Sequence, residues 1–364
     1  MSLGFWKNLP RPFVALAPMA DVTDPAFRRV IAACGKPDVT WTEFVSADGL
    51  ALAPDKPRAE DSIAPRQKLL GDLQFSPAER PIVAQIFSAN PEHVEAAARL
   101  CAEMGYDGID INMGCPDKSI ERQGCGSAMI KTPEVALAVI AAAKRGAGSV
   151  PVSVKTRLGY GKDILEEWLP TILSARPATV TLHARTRKDL SAVPARWGRI
   201  ADAVKIRDEW SAQNGIPENE RTLIIGNGDI RSLEDARQKA SLAGADGAMV
   251  GRAVLGNPWF FAEADPLRKF SPFFQSEQYA HKHGGAAAES QAIEITPELV
   301  ARRLETLASH IELFAELLPW KNFATMKKHF KAYVSGWRGA KELRERLMAT
   351  ESGGEAVKIL RIKA

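Results

Sequence analysis

The chain has 364 residues, 45% of them hydrophobic and 25% charged, with a formal net charge of +4. That composition excludes disordered and collagen-like classes, and the length suits one domain of roughly 250 residues joined to a smaller one. The opening MSLGFWKNLPRPF holds no apolar run of signal-peptide length, no window nears the ~20 apolar residues of a membrane span, and the four cysteines form no CxxC pair. A cytoplasmic, reduced protein without a membrane segment is expected.

Along the chain, short β-branched or apolar runs alternate with helical patterns. They predict strands at residues 13–16, 39–44, 82–87, 108–112, 152–156, 179–183, 222–225 and 247–250. Between strands two and three, residues 51–80 read as an excursion. PEHVEAAARLCAEMG carries apolar residues at helical spacing. PEVALAVIAAAKRG opens on Pro133 at a first-turn position and closes on Lys144, Arg145 and Gly146, which suit a helix C-terminus. SLEDARQKASLAG offers Ser232 as an N-cap with acidic residues in the first turn. Residues 265–295, rich in Gly, Ala, Ser and Gln, read as a linker. His281 and His283 within it have no carboxylate or cysteine set beside them, so no metal site is expected. From Thr296 onward the pattern is helical without strands.

Eight β/α repeats predict a (β/α)8 TIM barrel over residues 1–264, and the rest a linker over 265–295 and a small all-helical C-terminal domain over 296–364. A doubly wound sheet requires a Gly-rich fingerprint after its first strand, where APMADVTD stands instead. From Pro297 to the end thirteen Lys/Arg face eight Asp/Glu, a surplus of five. The surplus fits either a polyanionic partner or a solvated helical face.

Polar residues collect where the predicted strands end, and those ends build the site of a barrel enzyme. Strand one leads into Pro18, Met19 and Ala20; strand two ends near Glu43; strand three carries Gln85. Strand four gives Asn112 and then Cys115, strand five Lys155 and Arg157, strand six His183 and Arg185. Strand seven gives Asn227, Gly228 and Asp229, and strand eight Gly251 and Arg252. Core packing does not explain them, because a buried polar group left unpaired costs about 1–3 kcal/mol. GNGDI and VGR sit where barrels bind phosphate; two tight turns that need glycine are the alternative account. Lys155 admits a Schiff-base role or a cofactor contact, and the company of Gln85 and Asn112 favours the contact. Pro116 ends the ladder, so the Cys115 thiol is expected to face the mouth. Cys34 and Cys101 lie in helical patterns and read as small hydrophobes. Cys125 falls in QGCGSA, expected to be a flexible loop whose glycines serve backbone geometry.

APM at strand one, QIF at three, NMGCP at four, KTRLG at five, HARTR at six, GNGDI at seven and VGRAVLGNPW at eight resemble the tRNA-dihydrouridine synthases. MKKHFKAYVSGWRGAKELRERL resembles the tail motif of the same family, and the match runs in order over roughly residues 17 to 348. The resemblance implies an FMN-containing barrel joined to a helical domain that holds tRNA, and NADPH-driven reduction of the C5–C6 bond of one uridine. By position it assigns Pro18, Met19, Ala20, Gln85, Lys155, His183, Asn227, Gly228, Asp229, Gly251 and Arg252 to the flavin. Asn112 and Cys115 would face the uracil, with Arg157 and Arg185 on the substrate side of the mouth. Hydride would pass from flavin N5 to uracil C6, and Cys115 would protonate C5. The uridine must turn out of its stack to get there.

A helix through residues 321–335 would place Phe323, Met326, Phe330 and Val334 on one apolar stripe. Lys321, Lys328 and Lys331 would share another face and meet tRNA phosphates. FMN, not FAD, is expected, because the phosphate loops are two and short and no dinucleotide fingerprint follows a strand. After HARTR, the run KDLSAVPARW departs from the family's aromatic-Gly pattern before Ala-x-Trp, which leaves the target uridine open. Two rival readings remain. One is a flavin-dependent TIM-barrel reductase of a free small molecule, dihydroorotate- or ene-type, which has no use for a basic tail. The other is an RNA-binding module on an inactive barrel, against which Cys115, Lys155 and His183 speak. A monomer is expected.

Overall fold

Eight parallel strands pair in the order β1-β8-β7-β6-β5-β4-β3-β2 in a computed structural model that describes residues 3–57, 62–269 and 296–363. They are β1 (Phe13–Leu16), β2 (Thr40–Ser46), β3 (Ile82–Phe87), β4 (Gly108–Asn112), β5 (Val152–Arg157), β6 (Thr179–His183), β7 (Leu223–Asn227) and β8 (Gly247–Val250). A parallel bridge between Ala15 and Val39, with the Leu16 N–H donating to the Val39 carbonyl at 3.0 Å, closes the ring. The expected TIM barrel is therefore present. β7 runs two residues further than expected because β6 carries the ladder on to the pair His183 and Asn227.

Helices clothe the barrel: α1 (Pro25–Gly35), α2 (Ala47–Leu52), α3 (Pro65–Asp72), α4 (Pro91–Glu103), α5 (Lys118–Glu121), α6 (Pro133–Ala147), α7 (Leu165–Ser174), α8 (Trp197–Gln213) and α9 (Leu233–Ala243). Strands buried on both faces need apolar runs, which is how these strands read. Ser232 caps α9 as expected, its hydroxyl accepting the Asp235 N–H. The excursion after β2 is α2 and α3. Trp6, from a short turn at Gly4–Asn8, fills the barrel interior against Phe13 and Trp41, with ring centroids 5.5 and 5.7 Å away. One end of the barrel is thereby sealed with aromatic rings, and the polar strand ends are left at the other.

Register aligns those polar ends. Asn112 stands beside Lys155, Arg157 beside His183, His183 beside Asn227, and Asn227 beside Met249. Arg157, His183 and Asn227 thus form one polar row, and Asn112 and Lys155 form another, two residues earlier on their strands.

The tail comprises α10 (Pro297–Leu317), α11 (Lys327–Tyr333), α12 (Ala340–Met348) and α13 (Gly353–Lys363). Its apolar side chains join those of the barrel helices in one continuous cluster. His310 of α10 stacks on Phe27 of α1, centroids 5.0 Å apart. The backbone of α11 reaches the turn after β8. A Cβ on Gly256, which has φ +68°, would lie 2.4 Å from the Ala332 carbonyl carbon. The expected helix through residues 321–335 is broken. Asn322 caps a short turn at Phe323–Met326, and α11 begins only at Lys327. Met326, Phe330 and Val334 are buried as the stripe required, and Lys328 and Lys331 are exposed. Most of the expected linker, including His281 and His283, lies outside the described residues.

Candidate active site at the barrel mouth

A cavity of about 200 Å³ opens at the C-terminal ends of the strands. Its lining includes Pro18, Met19, Lys155, His183, Asn227, Gly228, Asp229, Gly251 and Arg252, all named from the sequence. Lys155 donates to the Asn227 side-chain oxygen at 3.2 Å, and the Asn227 amide donates to the Met249 carbonyl at 2.7 Å. Burial, and then the neighbouring Arg157, lower the Lys155 pKa to about 8. Burial, with Arg157, Lys155, Arg185 and Arg252 nearby, holds His183 well below 6.5. His183 is therefore neutral near pH 7 and serves as a hydrogen-bonding group, not a cation. Gly228 has φ +127°, and a Cβ there would lie 2.8 Å from the Ala195 Cβ and 3.2 Å from the His183 ring.

A second, open pocket of about 720 Å³ adjoins Cys115. Ala20 lines this one, with Phe44, Pro116 and Lys118. Behind it runs a chain of hydrogen bonds that the sequence did not reveal. Buried Asp110 accepts from Ser153 and from Gln85, each at 2.6 Å. The Gln85 oxygen accepts from Asn112 at 3.2 Å. The Asn112 oxygen accepts the N–H groups of Gly114 and Cys115, at 3.1 and 3.0 Å. Gln85, bonded between Asp110 and Asn112, lines neither pocket. The signal for Asp110 is a carboxylate within the apolar run GIDIN, where burial demands partners. Burial raises the Cys115 thiol above its ordinary value of 9.0, so it is protonated near neutral pH. Cys125 is fully buried at the start of an ordered turn, Gly126–Lys131, and burial pushes its thiol up to about 11. The expected flexible loop is a packed support: Ser127 donates twice, through N–H and hydroxyl, to the Cys115 carbonyl at 2.9 Å.

Three residues expected to contact substrate are engaged within the protein. Arg185 is fully buried. It donates to the Val193 carbonyl at 2.6 Å and pairs with Asp229 at 2.5 Å, while Arg252 takes the other Asp229 oxygen at 2.8 Å. Through Asp229, Arg185 braces the cavity wall. Arg157, 6% exposed, bonds the Gly114 and Thr186 carbonyls at 2.6 and 3.2 Å and ties the cysteine loop to the loop after β6. Lys321 leaves the exposed face altogether. Because Asn322 starts the next turn, the Lys321 side chain turns inward to Glu43 at 2.9 Å and Asp72 at 3.0 Å. Burial opposes its charge, but Glu43 and Asp72 hold its pKa above 10.5. Lys328 stays outside, 3.8 Å from Asp21 of the loop after β1.

Residues 15–364 match the model of the dihydrouridine synthase (Dus) family. The chain is 37% identical over 366 residues to a probable tRNA-dihydrouridine synthase 2 of Bacillus subtilis (strain 168), covering 99% of this chain and 96% of that one. It is 38% identical over 363 residues to a probable tRNA-dihydrouridine synthase of Staphylococcus aureus (strain COL), covering 99% and 95%. Among solved structures, morphinone reductase aligns with a TM-score of 0.48 at 12% identity, over 79% of this chain and 92% of that one. With the family matched across nearly the whole chain, and with the polar mouth its motifs required, this protein belongs to the dihydrouridine synthase family.

Proposed function

We propose that this chain reduces the C5–C6 double bond of a uridine in tRNA to give 5,6-dihydrouridine, with FMN as cofactor and NADPH as reductant. The observation that carries the reading is Cys115, a thiol kept protonated by burial at the rim of an open pocket beside a donor-lined cavity. FMN suits that cavity. The missing Cβ of Gly228 lets Ala195 and the His183 ring pack close at its wall, and Lys155, neutral His183 and Arg252 supply donors around it. When bound, FMN supplies hydride at N5 for uracil C6.

The chain's own residues do the rest. Cys115 gives its proton to C5, and a protonated thiol is what that step needs. Asn112 fixes the aim of the thiol by holding the N–H groups of Gly114 and Cys115. Lys155, fixed by Asn227, sets a buried positive group where negative charge develops. The pocket beside Ala20, Phe44 and Cys115 receives the base once it has turned out of its stack. Lys328 and Lys331, exposed on α11, meet phosphates. In this reading residues 1–264 are the catalytic unit, 265–295 the linker and 296–364 the tRNA-holding unit of a cytoplasmic monomer.

The test is reconstitution. The purified protein, NADPH and tRNA from a strain lacking this protein are incubated, and nucleosides are separated after digestion. Dihydrouridine at a defined position, and FMN released by heat, are the expected results. FAD as the released flavin, or NADPH oxidation with small enones or free pyrimidines but not with tRNA, refutes the reading.

A further inference from the structure

β2 does not pair evenly with β3. Trp41 stands opposite Val83 and Phe44 opposite Gln85, so Thr42 and Glu43 together face one residue. The Thr42 hydroxyl fills the gap. It accepts the Gln85 N–H at 3.0 Å and donates to the Glu43 carbonyl at 2.7 Å. A bulge of this kind re-aims a side chain. Here the side chain is Glu43, which leaves the sheet and joins three parts of the molecule. One carboxylate oxygen accepts the backbone N–H of Asp21 in the loop after β1. The other accepts Lys321 of the tail, which also reaches Asp72 at the end of α3.

That loop is a wall of the cavity, through Pro18 and Met19. It is internally tied, since the Met19 carbonyl accepts from the N–H groups of Val22 and Thr23, and the Thr23 hydroxyl accepts from Met19 at 2.9 Å. Asp21 has φ +54°, a strained value for a residue with a side chain, and such a value persists only where surroundings enforce it. The Glu43 carboxylate supplies that enforcement from below, and Lys328 faces the Asp21 carboxylate from the tail. An apolar pair in place of Glu43 and Lys321 would dock the tail as well, but it would leave the Asp21 N–H without its acceptor. Docking alone therefore does not account for a carboxylate here.

We propose that Glu43 is a positioning residue that couples the seat of the tail to the shape of the β1 loop, so that the element holding the polynucleotide also fixes a wall of the cavity. Its activity readout rests on the function proposed above; its structural readout does not.

Hydrogen exchange on the full-length chain tests it, comparing wild type with Lys321→Met and Glu43→Gln. Amides of residues 17–24 should exchange about tenfold faster in Lys321→Met, while α10 around His310 stays protected. Glu43→Gln keeps an oxygen for Asp21 but loses the charge, and should show a smaller increase in the same peptide. If Lys321→Met does not fold, Glu43→Gln alone decides. Unchanged exchange at 17–24 in a folded variant, or faster exchange confined to the tail, overturns the coupling. With tRNA as substrate, Glu43→Gln should lower kcat by about tenfold with bound flavin unchanged, as expected when a wall of the site shifts slightly. A rise in KM with kcat intact would make the pair a docking contact only. Wild type runs in parallel: if it forms no dihydrouridine, the proposed function falls, and the exchange data still judge the coupling.

Discussion

Replacing His329 by Phe should change how stability depends on pH in a calculable way. His310 and His329 meet where α10, α11 and α1 pack, with ring centroids 4.6 Å apart. Both are fully buried, and none of their four ring nitrogens has a hydrogen-bond partner among the described residues. Burial, with Lys328 adding to it, holds His329 down to about 3, against 6.5 for an ordinary histidine. Below 6.5 the unfolded chain therefore binds a proton at this position that the folded chain refuses until about pH 3, so stability is lost as pH falls through that window. Between about pH 7.5 and pH 5 the loss is about 2 kcal/mol. The wild-type curve alone will not display it. Asp24, which burial and then Glu43 raise to about 7, takes up its proton first in the folded state and stabilises the protein as pH falls from there toward 3.8. The informative quantity is the difference between wild type and His329→Phe, from which Asp24 cancels. Urea unfolding at the two pH values should show the variant gaining about 2 kcal/mol on wild type at the lower pH. A difference constant within about 0.5 kcal/mol would mean that His329 titrates alike in both states, and the reasoning fails.

The remaining predictions concern chemistry, substrate binding and packing. Cys115→Ala should retain flavin yet lose about 10²-fold in turnover, and Cys125→Ala should be far milder; equal effects in the dihydrouridine assay would undo the assignment. Changing Lys328 and Lys331 together to Ala should leave the melting temperature nearly unaltered and flatten the slope of log affinity for tRNA against log salt by about 1.4–1.8; an unchanged slope puts the tRNA elsewhere. Gly256→Ala should destabilise the fold by about 2 kcal/mol or more, since it combines a left-handed φ with a clash against the Ala332 backbone; a loss below about 0.5 kcal/mol in denaturant unfolding would show that the turn gives way freely.

Strand positions and the cavity were legible because both follow local rules. A barrel strand buried on two faces is a short apolar run, and its polar end residue is visible as the first exception. Lys155, His183 and Asn227 needed nothing more. What was not legible depends on distant partners. Lys321 reads as one more exposed lysine until Glu43 and Asp72, far away in sequence, are found beside it. Arg185 reads as a substrate contact until Asp229 and the Val193 carbonyl absorb its guanidinium. Asp110 was passed over because it sits inside a strand, where its role is to orient Gln85 and through it Asn112. The break before α11 did leave a trace, since Asn322 is a residue type that favours caps, but a continuous apolar stripe outweighed it.

The seam between tail and barrel mixes apolar burial with largely buried ion pairs, and the two do different work. Phe27, His310 and Phe330 bury rings in the joint cluster, which favours docking but tolerates sliding. Across it the Lys321 ammonium pairs with Glu43 at 2.9 Å and with Asp72 at 3.0 Å, while on the barrel side Arg28, paired with Glu79 at 2.7 Å, holds the Gln74 carbonyl. Gln74 in turn donates to the Leu317 carbonyl at the end of α10, at 2.7 Å. Well-packed apolar residues often stabilise such a seam as much as a buried ion pair does, so the pairs add little net stability. Removing one partner is another matter, costing about 3–5 kcal/mol, and a seam that slips by one residue does the same to every pair at once. The charges therefore penalise wrong registers far more than they reward the right one. In the proposed function a nucleotide held by the tail has to be delivered to Cys115, and a small misplacement there is costly. For that task a seam intolerant of slippage matters more than one that is merely tight.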